Sequence, residues 1–342
     1  MICARISAIE YSIPSNSLSN IDLASEFPEW PVEKIFSKTG ISSRPIVDAG
    51  TTASDLAVQA AFNLFSNAPL SAENIDYIIY CTQSPDYFLP ATACVIQDRL
   101  SCSKAIGAVD INQGCSGYIY GLGLAKGLIE TGQANNVLLL TGETYSRYIN
   151  PADKSVRTLF GDAGSATWIQ AHESSVSNID SFVYGTDGSG AESLIVKSGG
   201  SRFPFDDASI EEFVDDSGNV RNSRQLYMDG PEVFAFTLRE VPPLVKNILN
   251  KASLSAEDID WFVPHQANKF MLDSMIRSLP FGRDKMIRAY ERFGNTVSAT
   301  IPIAIKEGWS NKQIQPGQRL LLAGFGVGLS WGGCVISDIN LA

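Results

Sequence analysis

The chain has 342 residues, of which 44% are hydrophobic and 18% charged, and its formal net charge is -11. This length is typical of two domains or one duplicated domain, and the composition excludes an intrinsically disordered or a collagen-like protein. The negative charge argues against broad nucleic-acid binding, which depends on Lys and Arg neutralising phosphates.

Cysteine usage and hydropathy predict where the protein works. The six cysteines form no CxxC pair and there are only two histidines, so we expect no metal site of ordinary zinc spacing. The first residues, MICARISAIEYSIP, lack the apolar run of a signal peptide, and apolar runs such as 137–140 are too short to cross a bilayer. We therefore predict a cytoplasmic protein with free thiols and no membrane insertion.

An internal repeat organises the chain. Residues 68–80 read APLSAENIDYIIY and residues 252–264 read ASLSAEDIDWFVP, with seven of thirteen positions identical at an offset of 184. Self-similarity at a fixed spacing indicates duplication. Each copy follows a helical pattern, at 56–65 and 241–249, and leads into a short apolar strand.

Further segments repeat at nearly the same spacing. NVLLLTGE near residue 139 matches QRLLLAGFG near residue 322, and both are predicted to be buried strands. We predict two pseudo-symmetric α/β halves, residues 1–175 and 176–342, with helices covering parallel sheets and a linker near 172–180. The acidic, Gly- and Ser-rich stretch 199–228 is predicted to be an inserted loop.

The repeat also predicts the position of a site. The first copy continues with Cys81-Thr82-Gln83, whereas the second continues with His265-Gln266-Ala267-Asn268 at the same offset. Both segments therefore leave equivalent strand ends, where α/β proteins place their ligand crevices.

Cys115 is the candidate nucleophile. It follows a β-rich run and precedes a helical pattern in DINQGCSGYIYGL, so it lies where free backbone N–H groups and the helix dipole would stabilise a thiolate. Gly114 and Gly117 flank it and would let a substrate approach closely. The alternative, a small buried hydrophobic side chain, is what most free cysteines are, and we apply it to the other five.

His265 and Asn295 are the other candidates, each with a structural alternative. His265 follows an apolar strand within a polar cluster, which suits a crevice better than a core, although an isolated histidine is most often structural. Asn295, in RFGNTVSATIPIAI, precedes a helical pattern and could simply be an N-cap.

Four ordered motifs resemble those of the β-ketoacyl-acyl carrier protein synthase III family, and their order and spacing extend over residues 1–342. They are DINQGCSGYIYGL, PHQAN, FGNTVSATIPIAI and LLLAGFGVGLSWG. The resemblance implies a duplicated thiolase-like fold of five α-β-α-β-α layers, a homodimer, and no metal, flavin or pyridoxal cofactor.

The same resemblance implies the chemistry. Cys115 would accept an acyl group from an acyl-CoA, with the backbone N–H groups of Cys115 and Gly326 binding the oxyanion. A malonyl thioester would then lose carbon dioxide while His265 and Asn295 stabilise the enolate, and the carbanion would attack the acyl-cysteine. This is a decarboxylative Claisen condensation.

The substrate-binding positions depart from the family pattern. Lys38 and Lys154 align with two arginines near the CoA adenine and phosphates, and lysine keeps their charge without the planar fork. Trp30 is the candidate for the family's tryptophan near the adenine, at a spacing of eight residues from Lys38 instead of four. Leu89 aligns with a phenylalanine that reaches into the partner's acyl pocket, and its smaller side chain would admit a bulkier acyl group.

The carrier-protein contacts also differ. Two basic contacts of the family align with Ala235 and Phe270 and are missing. Residues 265–295 nevertheless contain six basic residues against three acids, which predicts either a docking face for an acidic acyl carrier protein or an ordinary solvated helix face.

Two other functions remain open at this point. An acyltransferase on the same fold could pass the Cys115 acyl group to an amine or hydroxyl without decarboxylation. A non-catalytic partner subunit could bind acyl chains only, although the intact set of Cys115, His265 and Asn295 argues against it.

Overall fold

Strands and helices alternate along the chain in the computed structural model, which describes residues 1–342. The strands are β1 (Ile2–Ser12), β2 (Ser17–Ser19), β3 (Ser43–Pro45), β4 (Tyr77–Cys81), β5 (Gly107–Ile111), β6 (Asn136–Glu143), β7 (Ala163–Glu173), β8 (Ile179–Thr186), β9 (Leu194–Val196), β10 (Phe213–Val214), β11 (Val220–Arg221), β12 (Leu226–Met228), β13 (Trp261–Pro264), β14 (Leu320–Gly326) and β15 (Ser330–Ile336). The α-helices are α1 (Asn20–Glu26), α2 (Val32–Thr39), α3 (Ala53–Asn67), α4 (Thr92–Arg99), α5 (Gly117–Glu130), α6 (Lys154–Arg157), α7 (Gly230–Ala252), α8 (Lys269–Met275) and α9 (Thr300–Ser310).

Two mixed sheets form the framework. The first has the order β1-β7-β6-β4-β5, and the second has the order β13-β14-β15-β8. β4 lies parallel to β5 and β6, and β13 lies parallel to β14, whereas β7 and β15 run antiparallel to their neighbours. The predicted parallel pairing is therefore correct for the central strands, and each sheet also has antiparallel strands.

Alternate side chains of the central strands enter different cores, which produces the five layers. Ile79 of β4 and Leu322 of β14 face the same middle core, which α5 and α9 fill from between the two sheets. On the opposite faces, Ile78 packs with α3 and α4, and Leu321 packs with α7 and α8. Strands buried on both faces need continuous apolar runs, as LLL in β6 and in β14 illustrates.

The two sheets repeat the same strand order. β1, β7, β6 and β4 correspond to β8, β15, β14 and β13, so the internal repeat of the sequence becomes a repeat of topology. The counterpart of β5 is reduced to a single parallel bridge between Phe262 and Met286. A division at residues 175 and 176 would fall between β7 and β8, and it stays a prediction.

The stretch 199–228 is more ordered than the predicted loop. It contains the hairpin β10–β11, and its last strand, β12, pairs with β9. Arg221 fastens it to the body through Asp153, with 2.9 Å between Nε and Oδ2 and both side chains almost fully buried. Separately, none of the helices is long and apolar enough to cross a membrane.

Candidate active site

Cys115, His265 and Asn295 line one cavity of about 770 Å³, although they lie far apart in the sequence. Phe325 and Gly326 line the same cavity, and Trp30 and Lys38 lie at its other end. The first half supplies Cys115 from the start of α5, and the second half supplies His265 from the end of β13. The three predicted catalytic residues are thus brought together.

Two glycines allow the turn before α5 to pack as tightly as it does. A Cβ on Gly117 would lie 2.2 Å from Sγ of Cys81, and a Cβ on Gly114 would lie 2.5 Å from a methyl of Val327. The sequence predicted that these glycines admit a substrate. In the structure the space beside each glycine is filled by protein atoms, those of Cys81 and Val327. The turn that carries Cys115 therefore packs closely against β4 and the end of β14.

The end of β14 also touches the nucleophile directly. A Cβ on Gly326 would lie 2.9 Å from both Cβ and Sγ of Cys115, so only glycine leaves its backbone beside the sulfur. Two residues earlier in the strand, a Cβ on Gly324 would lie 2.9 Å from the carbonyl oxygen of Cys115. The backbone at Gly326 therefore lies directly beside the sulfur, and its predicted oxyanion role stays a prediction.

Burial disfavours the thiolate of Cys115, which opposes the effect expected of a helix start. Burial raises the pKa of the Cys115 thiol to about 12, and the negative charge of Glu143 adds to the effect. The backbone N–H of Val327 opposes the shift without cancelling it.

His265 is held rigidly at the end of β13. Its backbone N–H donates to the carbonyl of Ala323 at 2.8 Å, and the edge of its ring packs against Phe325 with 5.5 Å between centroids. Nδ1 lies 2.7 Å from Oγ1 of Thr300, so the other ring nitrogen is the one left for the cavity. Burial lowers the pKa of His265 to about 3, which keeps the imidazole neutral.

Only the oxygen of the Asn295 side-chain amide makes a hydrogen bond within the protein. Its Oδ1 accepts a hydrogen bond from the backbone N–H of Val297 at 2.9 Å, while its Nδ2 has no protein acceptor. Its backbone is fixed by bonds to the carbonyl of Leu159 and from the N–H of Gly161. The side chain closes a local turn and does not cap a helix, and it leaves its N–H donors to the cavity.

The other polar residues of the PHQAN motif are structural. Gln266 donates to the carbonyl of Pro264 at 2.7 Å and accepts from the N–H of Ala289, and Asn268 caps α8. Within the predicted polar cluster, His265 and Asn268 line the cavity, and Oδ1 of Asn268 is engaged by the N–H of Met271.

The cavity mouth carries an aromatic ring and cations. The Nζ atoms of Lys34 and Lys38 lie 5.0 Å and 5.3 Å from the ring centroid of Trp30. Trp30 and Lys38 lie side by side in spite of the eight-residue spacing, because α2 begins at Val32 and turns Lys38 back toward the ring, and their contact with CoA stays a prediction.

Lys154 and Leu89 lie elsewhere. Lys154 pairs with Glu29 at 2.7 Å, and its neighbour Ser155 lines the cavity in its place. Leu89 is 82% exposed and borders a second cavity of about 980 Å³. Leu194 lines both cavities and so separates them.

Glu143 is a polar residue near the site that sequence reasoning missed. Its fully buried carboxylate accepts hydrogen bonds from the backbone N–H of Gln83, from Ser84 and, at 2.9 Å, from Ser298 of the second half. Burial raises its pKa to about 8. A glutamate that ends an otherwise apolar buried strand was the available signal.

Family models match both halves of the chain. The model described as 3-oxoacyl-[acyl-carrier-protein] synthase III matches residues 109–188, and the model of its C-terminal part matches residues 249–337. A β-ketoacyl-[acyl-carrier-protein] synthase III of Caldanaerobacter subterraneus is 35% identical over 335 residues, which cover 98% of both chains. The chain belongs to this synthase III family.

Other members agree in sequence and structure. The synthase III of Clostridium perfringens strain 13 is 38% identical over 94% of this chain and 95% of its own. A crystal structure of a 3-oxoacyl-(acyl-carrier-protein) synthase III superposes with a TM-score of 0.97 at 49% identity, covering 98% of this chain and 99% of that one. A 3-oxoacyl-(acyl-carrier protein) synthase of Burkholderia xenovorans gives 0.90 at 35% identity, covering 100% and 96%.

The sequence-based predictions of the family, the thiolase-like fold and the synthase III type of acyltransferase are confirmed. No finding favours the alternative of a transferase that does not decarboxylate. The roles of individual site residues are inferred below from their geometry.

Proposed function

We propose that this synthase III carries out a decarboxylative Claisen condensation of an acyl-CoA with a malonyl thioester, using Cys115, His265 and Asn295. One observation carries the proposal: these three side chains and the backbone of Gly326 line a single cavity that reaches the surface beside Trp30 and Lys38. A pantetheine arm entering between Trp30 and Lys38 would bring its thioester to Cys115.

In the first half-reaction, Cys115 attacks the acyl-CoA thioester. Because burial raises the pKa of the thiol, its proton leaves as the new carbon–sulfur bond forms, and CoA departs as a thiol. The backbone N–H groups of Cys115 and Gly326 stabilise the tetrahedral oxyanion, and the close approach of Gly326 to Sγ supports this role.

In the second half-reaction, the malonyl thioester loses carbon dioxide. Negative charge then develops on the thioester oxygen, where hydrogen-bond donors stabilise the transition state. Asn295 offers Nδ2, since its Oδ1 is engaged by Val297, and His265 offers the nitrogen that does not face Thr300. The resulting carbanion attacks the acyl-cysteine and releases the β-ketoacyl product.

Binding of CoA is proposed for the mouth of the cavity. Trp30 is half-buried and offers a face for the adenine, while Lys38, which lines the cavity beside it, is placed for the phosphates. Lys154 is adjacent to this region through Glu29. We propose it as a weaker contributor, because the carboxylate already neutralises its charge.

An acyl carrier protein is the proposed malonyl donor. Of the six basic residues within 265–295, Arg288 pairs with Asp273, Arg292 pairs with Glu307, and Lys285 donates to backbone carbonyls. Three exposed cations remain free for an acidic partner: Lys269, Arg277 and Arg283. Lys269 lies next to the cavity mouth, because its side chain packs against Gly40 just after Lys38.

A homodimer in the cytoplasm is also proposed. Tyr87, Phe88 and Leu89 are all more than half exposed, which suits a segment that a second copy covers. Leu89 would then border the acyl pocket of the partner subunit. All six cysteines are free thiols, as a reducing compartment favours.

Intact-mass measurement tests the proposed function. The protein is incubated with a panel of acyl-CoAs, and malonyl-carrier protein or malonyl-CoA is then added. We expect one acyl adduct on Cys115, followed by its loss together with carbon dioxide and a β-ketoacyl product. Transfer of the acyl group to an amine or hydroxyl without carbon dioxide release would contradict the proposal.

A further inference from the structure

The ring nitrogen of His265 that faces away from the cavity has a single side-chain partner. Nδ1 lies 2.7 Å from Oγ1 of Thr300, and both side chains are only 2% exposed. A neutral imidazole carries one ring proton, and the partner of one nitrogen decides which nitrogen holds it. Thr300 is therefore positioned to decide whether His265 presents a donor or an acceptor to the substrate.

The hydroxyl of Thr300 has one proton and two neighbours. Oγ1 is within donating distance of two acceptors, the carbonyl oxygen of Val297 at 2.9 Å and Nδ1 of His265, which is nearer at 2.7 Å. That carbonyl already accepts a hydrogen bond from the backbone N–H of Thr300. Since the carbonyl keeps a partner without the hydroxyl, the hydroxyl proton is available for Nδ1.

Val297 connects this arrangement to Asn295. Its φ is 54°, a left-handed conformation that is strained for a β-branched residue. In this conformation its N–H bonds Oδ1 of Asn295 and its C=O lies beside Thr300. The backbone of Val297 thus orients the amide of Asn295 through its N–H and contacts the Thr300 hydroxyl through its C=O. The orientations of Asn295 and His265 therefore depend on the same short segment.

We propose that Thr300 is a positioning residue that donates its hydroxyl proton to Nδ1 of His265 and so keeps the ring proton on Nε2. Nε2–H is then the donor that meets the thioester oxygen during decarboxylation. The catalytic consequence rests on the proposed function, but the position of the ring proton can be measured in the free protein.

Nitrogen NMR of protein labelled with 15N-histidine provides that measurement. The chain has only two histidines, so the spectrum contains two imidazoles. Nδ1 of His172 lies 3.1 Å from the carbonyl of Cys3, which can only accept, so His172 carries its proton on Nδ1. It is a built-in reference for the opposite tautomer, and His172→Gln assigns the two signals.

We expect His265 to have Nε2–H and His172 to have Nδ1–H in the same sample. Finding Nδ1–H on His265 would overturn the proposal, because the Thr300 hydroxyl would then be accepting from the ring. The result does not depend on turnover, so failure of the condensation assay would count against the proposed function and leave the tautomer result standing.

Two variants connect the tautomer to catalysis. In Thr300→Val the ring loses the hydroxyl beside Nδ1, so nothing on that side holds the ring proton on Nε2. We expect His265 to gain Nδ1–H, carbon dioxide release to fall by about 10²–10³, and acylation of Cys115 to persist. Thr300→Ser keeps the hydroxyl and should retain both Nε2–H and activity.

The proposal can still be tested if Thr300→Val does not fold. Thr300→Ser and the unmodified protein then still report the tautomer, and a serine variant with Nδ1–H and full carbon dioxide release would contradict the role. A folded Thr300→Val variant that keeps Nε2–H and normal decarboxylation would also contradict it.

Discussion

Two equivalent strand ends of this protein differ in what they expose. β4 ends with Cys81 and β13 is followed by His265, 184 residues later, and the repeat relates the two positions. The thiol of Cys81 donates to the carbonyl of Gln113 at 3.1 Å and is covered by Gly117. The imidazole of His265 lines the cavity. The end of β4 is thus covered by protein atoms, whereas the end of β13 faces the cavity.

The starts of α5 and α9 also occupy equivalent positions and differ in what their hydroxyl groups contact. Ser116 and Thr300 are also 184 residues apart, at the beginnings of α5 and α9. Oγ of Ser116 bonds Oγ of Ser330 at 2.7 Å, whereas the Thr300 hydroxyl bonds the catalytic imidazole. The duplicated scaffold therefore provides two similar positions, and packing assigns the nucleophile to one half and the proposed enolate donors to the other.

The largest expected difference between the two halves is seen when the thiol of Cys115 and that of Cys81 are removed in separate variants. Cys115→Ala should abolish acyl-enzyme formation, since losing a nucleophile costs about 10⁶ in rate. Cys81→Ala is the matched control, because its sulfur bonds only protein atoms and should be dispensable for acylation. Intact-mass analysis after acyl-CoA treatment compares them, and an adduct on Cys81 or Cys94 with Cys115 unmodified would sink the assignment.

Asn295 allows the two half-reactions to be separated. Asn295→Ala should still form acyl-enzyme but lose condensation by about a hundredfold to a thousandfold, because one oxyanion donor is worth about 3–4 kcal/mol. Asn295→Asp keeps an acceptor for Val297 but has no N–H donor, so it should show the same loss. Single-turnover acylation is measured beside carbon dioxide release. Intact carbon dioxide release with abolished acylation would reverse the proposed roles.

Glu143 joins the two halves, and its titration sharpens the comparison. Burial raises its pKa from the ordinary 4.5 to about 8, so the folded protein holds the proton more tightly and loses stability as pH rises from 4.5 to 8. His265, with its pKa lowered from 6.5 to about 3, contributes the opposite slope only below pH 6.5. Denaturant unfolding between pH 6.5 and 8 therefore isolates Glu143.

Glu143→Gln should remove that slope, at a stability cost of about 1–3 kcal/mol from mismatched buried hydrogen bonds. The cost arises because an amide nitrogen must then face N–H or hydroxyl donors that the carboxylate now accepts. An unchanged slope in the variant would show that another group titrates in this window.

The smallest expected effect lies at the cavity mouth. Trp30→Ala should raise KM for acyl-CoA about fivefold, corresponding to about 1 kcal/mol of base stacking, with kcat unchanged. Lys38→Met should raise KM less, and Lys34→Met is the matched control, since both lysines flank Trp30 but only Lys38 lines the cavity. Equal effects of the two lysines, or a loss of kcat, would argue against this mouth as the CoA site.

Much of the fold was predictable because short sequence segments carry the patterns that indicate its strands and its duplication. Apolar runs such as LLL in β6 and β14 mark strands buried on both faces, and the repeat at an offset of 184 indicates the second half. Cys115, His265 and Asn295 were identified from strand-turn-helix patterns and from family motifs. The hairpin within 199–228 was missed, since short paired strands leave no periodic signal in a polar stretch.

The sequence by itself determined the duplication, predicted Cys115 at a helix start as the nucleophile, and identified residues that share its cavity. Only the tertiary structure decided their chemical states. Burial among both halves raises the pKa of the Cys115 thiol and lowers that of the His265 imidazole, although the local helix start favours a thiolate. Desolvation depends on atoms contributed from all along the chain, and no local pattern records it.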